Sequence, residues 1–195
     1  MGPQMAGRAD LEGPEARVSE AEPRESALLV PVPEAEPCVQ HHRFRHDAVA
    51  LLGVPAHITV LYPFMEPDEI SEAATDAVRE ALAPFSGFPF RLTRLAHFPE
   101  GATYLAPEPA TPFVRLTMAI AERFPAYPPY GGTHAEVIPH LTVAQSPDAP
   151  ADELAEIERH LPIRCVARET WLMVEDDEHR WRNHRRFALD GSVPA

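Results

Sequence analysis

Two short segments of this chain read as copies of each other: PAHITV at residues 55–60 and IPHLTV at residues 138–143. Each contains a His-x-Thr triplet with a proline one or two residues ahead of it, an apolar residue at its centre and a valine after it. Successive side chains of a β-strand alternate between its two faces, so residues two apart point the same way. Each segment therefore predicts a strand with an imidazole and a hydroxyl on one face and apolar side chains on the other.

The doubling of the triplet gives it a functional meaning that a single copy lacks. One His-x-Thr in an apolar strand is most simply a buried, hydrogen-bonded histidine beside a strand-forming threonine. Two copies about 80 residues apart in matching contexts indicate a repeated unit instead. Two imidazoles and two hydroxyls suit phosphodiester cleavage: one histidine takes a proton from the attacking oxygen, its partner protonates the leaving oxygen, and the hydroxyls bind the phosphate oxygens.

The rest of the sequence alternates helical and strand-like patterns, which predicts an α+β fold. Apolar spacing predicts helices over residues 67–85, 111–123 and 150–161, the first of them capped by Asp68. Apolar runs predict strands over residues 27–32, 57–62, 88–98, 103–106, 137–144, 163–174 and 181–189. We expect one domain over residues 27–190, a disordered tail over 1–26 and a short tail over 191–195.

Composition narrows the chemistry further. The 195 residues carry 17 basic and 30 acidic side chains, a net charge of −13, which argues against broad binding to duplex DNA. All the basic residues are arginine, so lysine Schiff-base chemistry and a Walker-type phosphate lysine are excluded. Cys38 and Cys165 follow no metal-ligand spacing, and we expect reduced thiols. The sequence has neither a long apolar run nor a leader-like start, so we predict a cytoplasmic protein without membrane contact. We also expect it to be a monomer.

Other residues are candidates for weaker roles. Arg43 and Arg45, ahead of the first triplet, are candidate contacts to the phosphate or ribose, and Tyr130, in a Pro/Gly-rich loop, is a candidate for stacking on a base. Phe98 and Tyr104 are interpreted as core residues. The basic run over residues 179–186 is interpreted as a charged strand edge, because an acidic run precedes it.

The motif pair resembles a known family. The triplets His57-Ile58-Thr59 and His140-Leu141-Thr142, with the flanks PAHITVLYPF and PPYGG…IPHLTVA, are similar to the 2H phosphoesterase superfamily and its 2'-5' RNA ligase (LigT-like) branch. The resemblance covers residues 27–189. It implies a bilobal, pseudo-two-fold α+β fold, in which two antiparallel sheets flank a central cleft, helices lie outside, and each lobe contributes one His-x-Thr strand.

The same resemblance implies an activity. Its members cleave 2',3'-cyclic phosphates or 2'-5' linkages of RNA ends or nucleotides without a metal or another cofactor. Carried over, His57 and His140 become the acid/base pair, and Thr59 and Thr142 the donors to phosphate oxygens. For hydrolysis we expect His140 to act as the base and His57 as the acid. The sequence is equally compatible with His57 as the base and His140 as the acid.

Two alternatives to this enzyme remain open on the sequence. The first is a non-catalytic RNA- or nucleotide-binding module that uses the same cleft. The second is a metal hydrolase built on the histidine-rich segment over residues 41–46, although that segment lacks a carboxylate pattern and is more typical of a polar surface.

Overall fold

The computed structural model describes residues 23–133, 136–145 and 149–191. The predicted tails therefore lie, over residues 1–22 and 192–195, outside the described part of the chain. The first strand begins at Ser26, one residue before the predicted start of the domain. Ser26 is fully buried, and its hydroxyl donates to the carbonyl oxygen of Met65 at 2.5 Å. A small polar residue thus belongs to the first strand, because the carbonyl oxygen of a distant residue accepts its hydrogen bond.

The described residues form strands and helices in the alternation that defines the α+β class. The strands are β1 (Ser26–Pro31), β2 (His57–Leu61), β3 (Phe88–His97), β4 (Thr103–Glu108), β5 (Leu141–Ala144), β6 (Ile163–Ala167), β7 (Glu169–Glu175) and β8 (Trp181–Ala188). The α-helices are α1 (Glu36–His46), α2 (Ala48–Leu51), α3 (Glu72–Leu82), α4 (Thr111–Arg123) and α5 (Ala151–Glu158). Short 3-10 helices lie at Pro67–Glu69 and Pro129–Gly132.

The strands form two four-stranded antiparallel sheets, which confirms the predicted architecture. The strand order is β2-β1-β7-β8 in the first sheet and β5-β4-β3-β6 in the second. The two triplet-bearing strands, β2 and β5, are each an edge strand, and these two edges contact each other. The basic run lies on β8, at the opposite edge of the first sheet, as predicted. The two motifs therefore meet where the sheets adjoin.

One hydrophobic core joins the two sheets. It includes Leu28 and Ile58 from the first sheet and Leu105 and Val143 from the second. The other face of β1 packs into a smaller cluster that contains Leu29, Met173 and Trp181. Because β1 is buried on both faces, its sequence is a continuous apolar run rather than an alternating one. Helices α3 and α4 pack against each other, while α4 packs on β2 and α1 on β5.

Helix α1 is the main element that the sequence pattern missed. The segment read as polar forms a helix whose buried residues are Val39, His42 and Arg43. These positions have the i, i+3, i+4 spacing of a buried helix face, but only one of the three side chains is apolar. A hydrophobic pattern cannot reveal a helix that buries imidazole and guanidinium groups.

Three smaller differences concern the ends of elements. The first predicted helix starts later than expected, and its N-cap is Ser71, not Asp68; the Ser71 hydroxyl accepts from the amide of Ala74 at 3.2 Å. The strand predicted from residue 137 begins only at Leu141. The run over residues 163–174 is two strands that separate at Arg168 and enter different sheets. The chain passes from one sheet to the other without interrupting its run of apolar residues. The sequence pattern therefore predicts one strand where the structure has two.

Candidate active site

The two His-x-Thr triplets face one another across the junction of the sheets. Along β2, Ile58 and Val60 are buried, while His57 and Thr59 are only partly buried. Along β5, Thr142 likewise lies between two buried apolar residues. The predicted alternation of faces is thus confirmed, and His57, Thr59, His140 and Thr142 all line a single cavity of about 370 Å³, which we call the two-histidine cavity.

Both imidazoles are oriented by the same local hydrogen bond. Nδ1 of His57 lies 2.8 Å from the carbonyl oxygen of Pro55, and Nδ1 of His140 lies 2.7 Å from the carbonyl oxygen of Ile138. A carbonyl oxygen only accepts, so in each ring Nδ1 carries the proton and donates it. In the neutral ring, Nε2 is then the unprotonated nitrogen that can take up a proton. The two copies therefore present the same tautomer to the cavity.

Both histidines favour the neutral form. The pKa of His57 is lowered to about 4, first by burial and then by the positive charge of Arg43, against a raising effect of the Pro55 carbonyl. A positive charge on His140 lowers the pKa of His57 further. The pKa of His140 is also lowered by burial, partly offset by its bond to Ile138. Neither ring is therefore readily protonated unless a negatively charged group binds in the cavity.

Aromatic rings surround His140. The ring of Phe98 meets it edge-on at 4.9 Å between centroids, and Tyr104 does so at 5.6 Å. Tyr130 lies nearly parallel to the imidazole at 6.4 Å. Tyr104 is buried, as predicted. The interpretation of Phe98 as a core residue is wrong, because it is only partly buried and lines a second cavity of about 570 Å³ beside the β3–β4 turn, which we call the hairpin cavity.

Tyr130 belongs to both cavities. It lines the two-histidine cavity and the hairpin cavity, as do His140, Thr142 and Gln145. Its backbone amide donates to the carbonyl oxygen of Tyr62 at 2.9 Å, which ties the loop to the end of β2. Its φ of 53° lies in the left-handed region that non-glycine residues rarely adopt. The loop thus holds an aromatic ring at the point where the two cavities join.

Arg43 and Arg45 lie on α1 and are absent from the residues that line the two cavities. Arg43 is 2% exposed; its Nε and Nη2 donate to one carboxylate oxygen of Asp47 at 3.1 and 2.9 Å, and its Nη1 donates to the carbonyl oxygen of Val54 at 3.2 Å. Arg45 is half-exposed and pairs with Glu153 at 2.7 Å. The geometry favours an indirect effect of Arg43 on His57 over contact with a substrate.

The histidine-rich segment is a contact between two helices. His42 and His46, one helical turn apart on α1, approach the same oxygen of Glu153 on α5 at 3.4 and 2.9 Å. Within the described residues, no group of three or more histidine, cysteine or carboxylate side chains is arranged to hold a metal ion. The described part of the chain also contains no helix long and apolar enough to cross a membrane. The two cysteines are unpaired.

The sequence did not reveal two further aromatic residues of the site. Tyr62 and Trp181 line the two-histidine cavity, with ring centroids 6.5 Å apart. Trp181 is held by a bond from its amide to the carbonyl oxygen of Leu52 at 2.7 Å, and beside it Gly53 has a φ of 104°. A Cβ on Gly53 would lie 2.7 Å from the backbone oxygen of Trp181, so only glycine fits there. The separation of Tyr62 and Trp181 in the sequence leaves no local signal of their proximity.

Comparison with known proteins agrees with this fold. A model of the 2'-5' RNA ligase superfamily matches residues 30–179, which include both triplets, and the chain belongs to that superfamily. A protein of Geobacillus kaustophilus that carries the name "putative phosphoesterase" is 23% identical over 171 residues, covering 84% of this chain and 95% of that protein.

Solved structures share the fold at low identity. LigT of E. coli, solved with NADP+, superposes with a TM-score of 0.56 at 18% identity, covering 87% of this chain and 99% of that one. The same protein with 3'-AMP gives a TM-score of 0.54 at 17% identity, with coverages of 86% and 99%. TT0787 of Thermus thermophilus gives 0.54 at 19% identity, with coverages of 85% and 97%. The family and the fold together indicate a phosphoesterase or 2'-5' RNA ligase-like protein.

Proposed function

We propose that this protein is a metal-independent phosphodiesterase that opens 2',3'-cyclic phosphates or cleaves 2'-5' phosphodiesters, with His57 and His140 as the acid/base pair. The observation that carries the proposal is the matched pair of imidazoles. Each donates its Nδ1 proton to a carbonyl oxygen two residues earlier, and both line one cavity. A nucleotide-sized substrate also suits the cleft, because LigT of E. coli has been solved with 3'-AMP and with NADP+.

The chemistry needs only the side chains of the two triplets. In hydrolysis of a cyclic phosphate, a water oxygen attacks phosphorus while Nε2 of one histidine takes its proton. The bond from phosphorus to one ribose oxygen breaks, and that oxygen takes a proton from Nε2 of the other histidine. Thr59 and Thr142 donate hydrogen bonds to the non-bridging oxygens, on which negative charge increases in the transition state. The strain of the five-membered ring already favours opening, so positioning and proton transfer supply the rest.

The substrate's own charge would prepare the acid. Both imidazoles are biased towards neutrality, by burial and, for His57, by Arg43. A phosphodiester brings one negative charge, and a nearby opposite charge favours the protonated imidazole. One ring is then protonated upon binding while the other stays neutral as the base. Microscopic reversibility exchanges their roles between ring opening and ring closure, and the product isomer identifies which ribose oxygen leaves phosphorus.

The test is a substrate screen with product analysis. The purified protein is incubated with 2',3'-cyclic nucleotides, with a 2'-5' dinucleotide and with a short RNA that ends in a 2',3'-cyclic phosphate, and the 2'- and 3'-phosphate products are separated. We expect turnover of at least one of these substrates, unchanged by EDTA. Activity abolished by EDTA and restored by a divalent metal would contradict the proposed chemistry and favour the metal hydrolase.

A binding measurement separates catalysis from recognition. Nucleotide affinity in the micromolar range without cleavage of any of these substrates would favour the non-catalytic binding module. The cytoplasmic location and the monomeric state stay predictions, and gel filtration with light scattering measures the second of them directly.

A further inference from the structure

The walls of the cleft carry carboxylates on both sides of the histidines. Glu25, Asp47 and Glu175 line the two-histidine cavity, and Glu100 and Glu136 line the hairpin cavity. Among the described residues, no arginine lines either cavity. The chain has no lysine; of the residues whose placement is not described, 134–135, 146–148 and 192–195 include no arginine, whereas 1–22 include Arg8 and Arg17. Within the described part of the chain, a site for phosphodiesters therefore lacks the flanking cations that usually follow a nucleic-acid backbone.

Three arginines, one on α1 and two on β8, are paired with carboxylates. The buried Arg43 is bound to Asp47, so this pair adds little net charge to the cavity wall. On the strand that begins at Trp181, Arg185 lies 2.8 Å from Glu72 and Arg186 lies 3.9 Å from Glu169. These contacts place negative charge beside the most basic run of the chain. The net positive charge of the run is therefore smaller than its sequence indicates.

What the cleft offers beyond the phosphate site is aromatic surface and hydrogen-bond acceptors. Tyr62 and Trp181 lie in the two-histidine cavity, and Phe98 and Tyr130 line the hairpin cavity. Aromatic rings stack on a base of any sequence, and carboxylates accept hydrogen bonds from hydroxyl and amino groups. These features suit the neutral parts of a nucleoside. They do not suit a second phosphate, whose charge would be repelled at short range with little screening inside a cleft.

We propose that the cleft selects a singly charged substrate of about one nucleotide, a 2',3'-cyclic mononucleotide or a phosphodiester of similar size, and disfavours the end of an RNA chain. This inference rests on the proposed function and narrows its substrate class. Each additional nucleotide of RNA adds one negative charge. With carboxylates on both sides of the phosphate site, the added phosphate meets like charge whichever way the chain leaves the cleft.

The experiment compares two substrates that differ only in length. Adenosine 2',3'-cyclic phosphate and a five-nucleotide oligoadenylate with the same cyclic end are assayed at ionic strengths of about 0.02 M and about 0.2 M, where screening differs strongly. We expect kcat/KM to favour the mononucleotide by at least about 10-fold at low salt, with a smaller gap at high salt. Equal or faster cleavage of the oligonucleotide at low salt, or a larger gap at high salt, would overturn the inference.

A matched pair of variants ties the effect to the cleft walls. The double variant Glu100→Gln/Glu136→Gln removes two exposed negative charges that line the hairpin cavity. We expect it to raise the ratio of oligonucleotide to mononucleotide kcat/KM at least about 3-fold at low salt. Glu80→Gln/Glu122→Gln makes the same change in net charge at exposed positions on α3 and α4, away from the cleft, and leaves the ratio unchanged. An equal rise in both double variants would overturn the inference.

A binding measurement tests this inference independently of the proposed function. In the His57→Ala/His140→Ala variant, calorimetry compares 3'-AMP with the oligonucleotide that carries a 3'-terminal phosphate. Preference for 3'-AMP supports the inference even if the wild-type protein cleaves neither cyclic substrate. That absence of cleavage would contradict only the proposed catalysis. Tighter binding of the oligonucleotide at low salt overturns the inference whatever the catalytic result.

Discussion

At the scale of single residues, the site depends on one local arrangement that occurs twice. In each triplet the histidine donates Nδ1–H to the carbonyl oxygen two residues before it, that of Pro55 or Ile138. This bond joins residues two apart in the chain, so it depends only on the local backbone. It leaves Nε2 of His57 and of His140 as equivalent proton-exchanging atoms, which is why the two rings can act as one unit.

We predict that His57→Ala and His140→Ala each lower kcat by at least about 100-fold, because each removes one half of a proton-transfer pair. The double variant is expected to be little worse than either single variant, since the remaining histidine cannot complete the reaction alone. Steady-state kinetics on a cyclic nucleotide measure the losses, and circular dichroism checks the fold. His160→Ala, at an exposed position, serves as the control. Losses that multiply in the double variant would argue against a coupled pair.

We predict a bell-shaped pH profile whose position depends on the kinetic constant. The profile of kcat/KM reports the free protein, where the pKa of His57 is lowered to about 4 and that of His140 lies below its usual value. The active form has one ring protonated and one neutral, so kcat/KM has its maximum on the acid side of about pH 6.5, the usual pKa of histidine. The profile of kcat reports the complex, in which the bound phosphate raises both pKa values and moves the bell towards neutrality. Coinciding profiles, or a profile with a single limb, would contradict this mechanism.

At the scale of elements, helix α1 connects the ion pair of the interior to the first triplet. Arg43 is buried on α1, and its guanidinium reaches both Asp47 and the carbonyl oxygen of Val54, three residues before His57. The same positive charge lowers the pKa of His57. A helix that follows no clear apolar pattern thus both holds the segment leading into β2 and sets the proton affinity of the histidine at its start.

We predict that Arg43→Met lowers the free energy of unfolding by about 3–5 kcal/mol, because it leaves the Asp47 carboxylate buried without its cation. Adding Asp47→Asn to that variant is expected to recover part of the loss. Equilibrium unfolding in urea measures both. Arg45→Met on the same helix removes a half-exposed pair with Glu153 and should cost less than about 1 kcal/mol.

The same variant tests the electrostatic role of Arg43 on the histidine. Without the guanidinium, the pKa of His57 should rise, and an NMR titration of the imidazole measures the shift. An unchanged His57 pKa in a folded Arg43→Met protein would contradict the assignment of Arg43 as the second cause of its lowering.

At the scale of the whole molecule, the cleft exists only because two sheets share one core and place their edge strands side by side. Two backbone hydrogen bonds join segments from the two halves: Gln145 N to His46 O at 2.8 Å, and Tyr130 N to Tyr62 O at 2.9 Å. Each of these connections ends on a residue that lines the cleft. The geometry of the site is therefore coupled to global stability.

We predict that this coupling is visible as a pH dependence of stability. The pKa of His57 is about 4 in the folded protein and near 6.5 in the unfolded chain, so between these values the unfolded state binds more protons. The contribution of His57 to stability is complete above pH 6.5 and is lost as the pH falls towards 4, by up to about 3 kcal/mol. Urea unfolding of the wild type and of His57→Gln across this range should show a flatter curve for the variant. A His160→Gln control keeps the wild-type slope, and parallel curves for wild type and His57→Gln would contradict the prediction.

The candidate site was only partly accessible to sequence reasoning. The triplets, the face on which each histidine and threonine lies, and the loop that holds Tyr130 follow from local patterns. Tyr62 and Trp181 had to be found in the structure, because they are brought together by the pairing of β1 with β2 and β7 and of β7 with β8. The burial of Arg43 also had to be found there, because its partners lie on the next turn and across a loop rather than in a recognisable motif.

The sequence by itself determined the elements whose pattern is local: the two triplet-bearing strands, the bounds of α4, the α+β class and the membership in the 2'-5' RNA ligase superfamily. Only the tertiary structure decided that α1 is a helix, that residues 163–174 divide between two sheets, and that the histidines lie between carboxylate-lined, aromatic walls. The physical reason is the distance along the chain over which each kind of interaction acts. Side-chain periodicity acts over a few residues, whereas burial and strand pairing depend on segments far apart in the chain. The electrostatic environment of the cleft likewise depends on such distant segments.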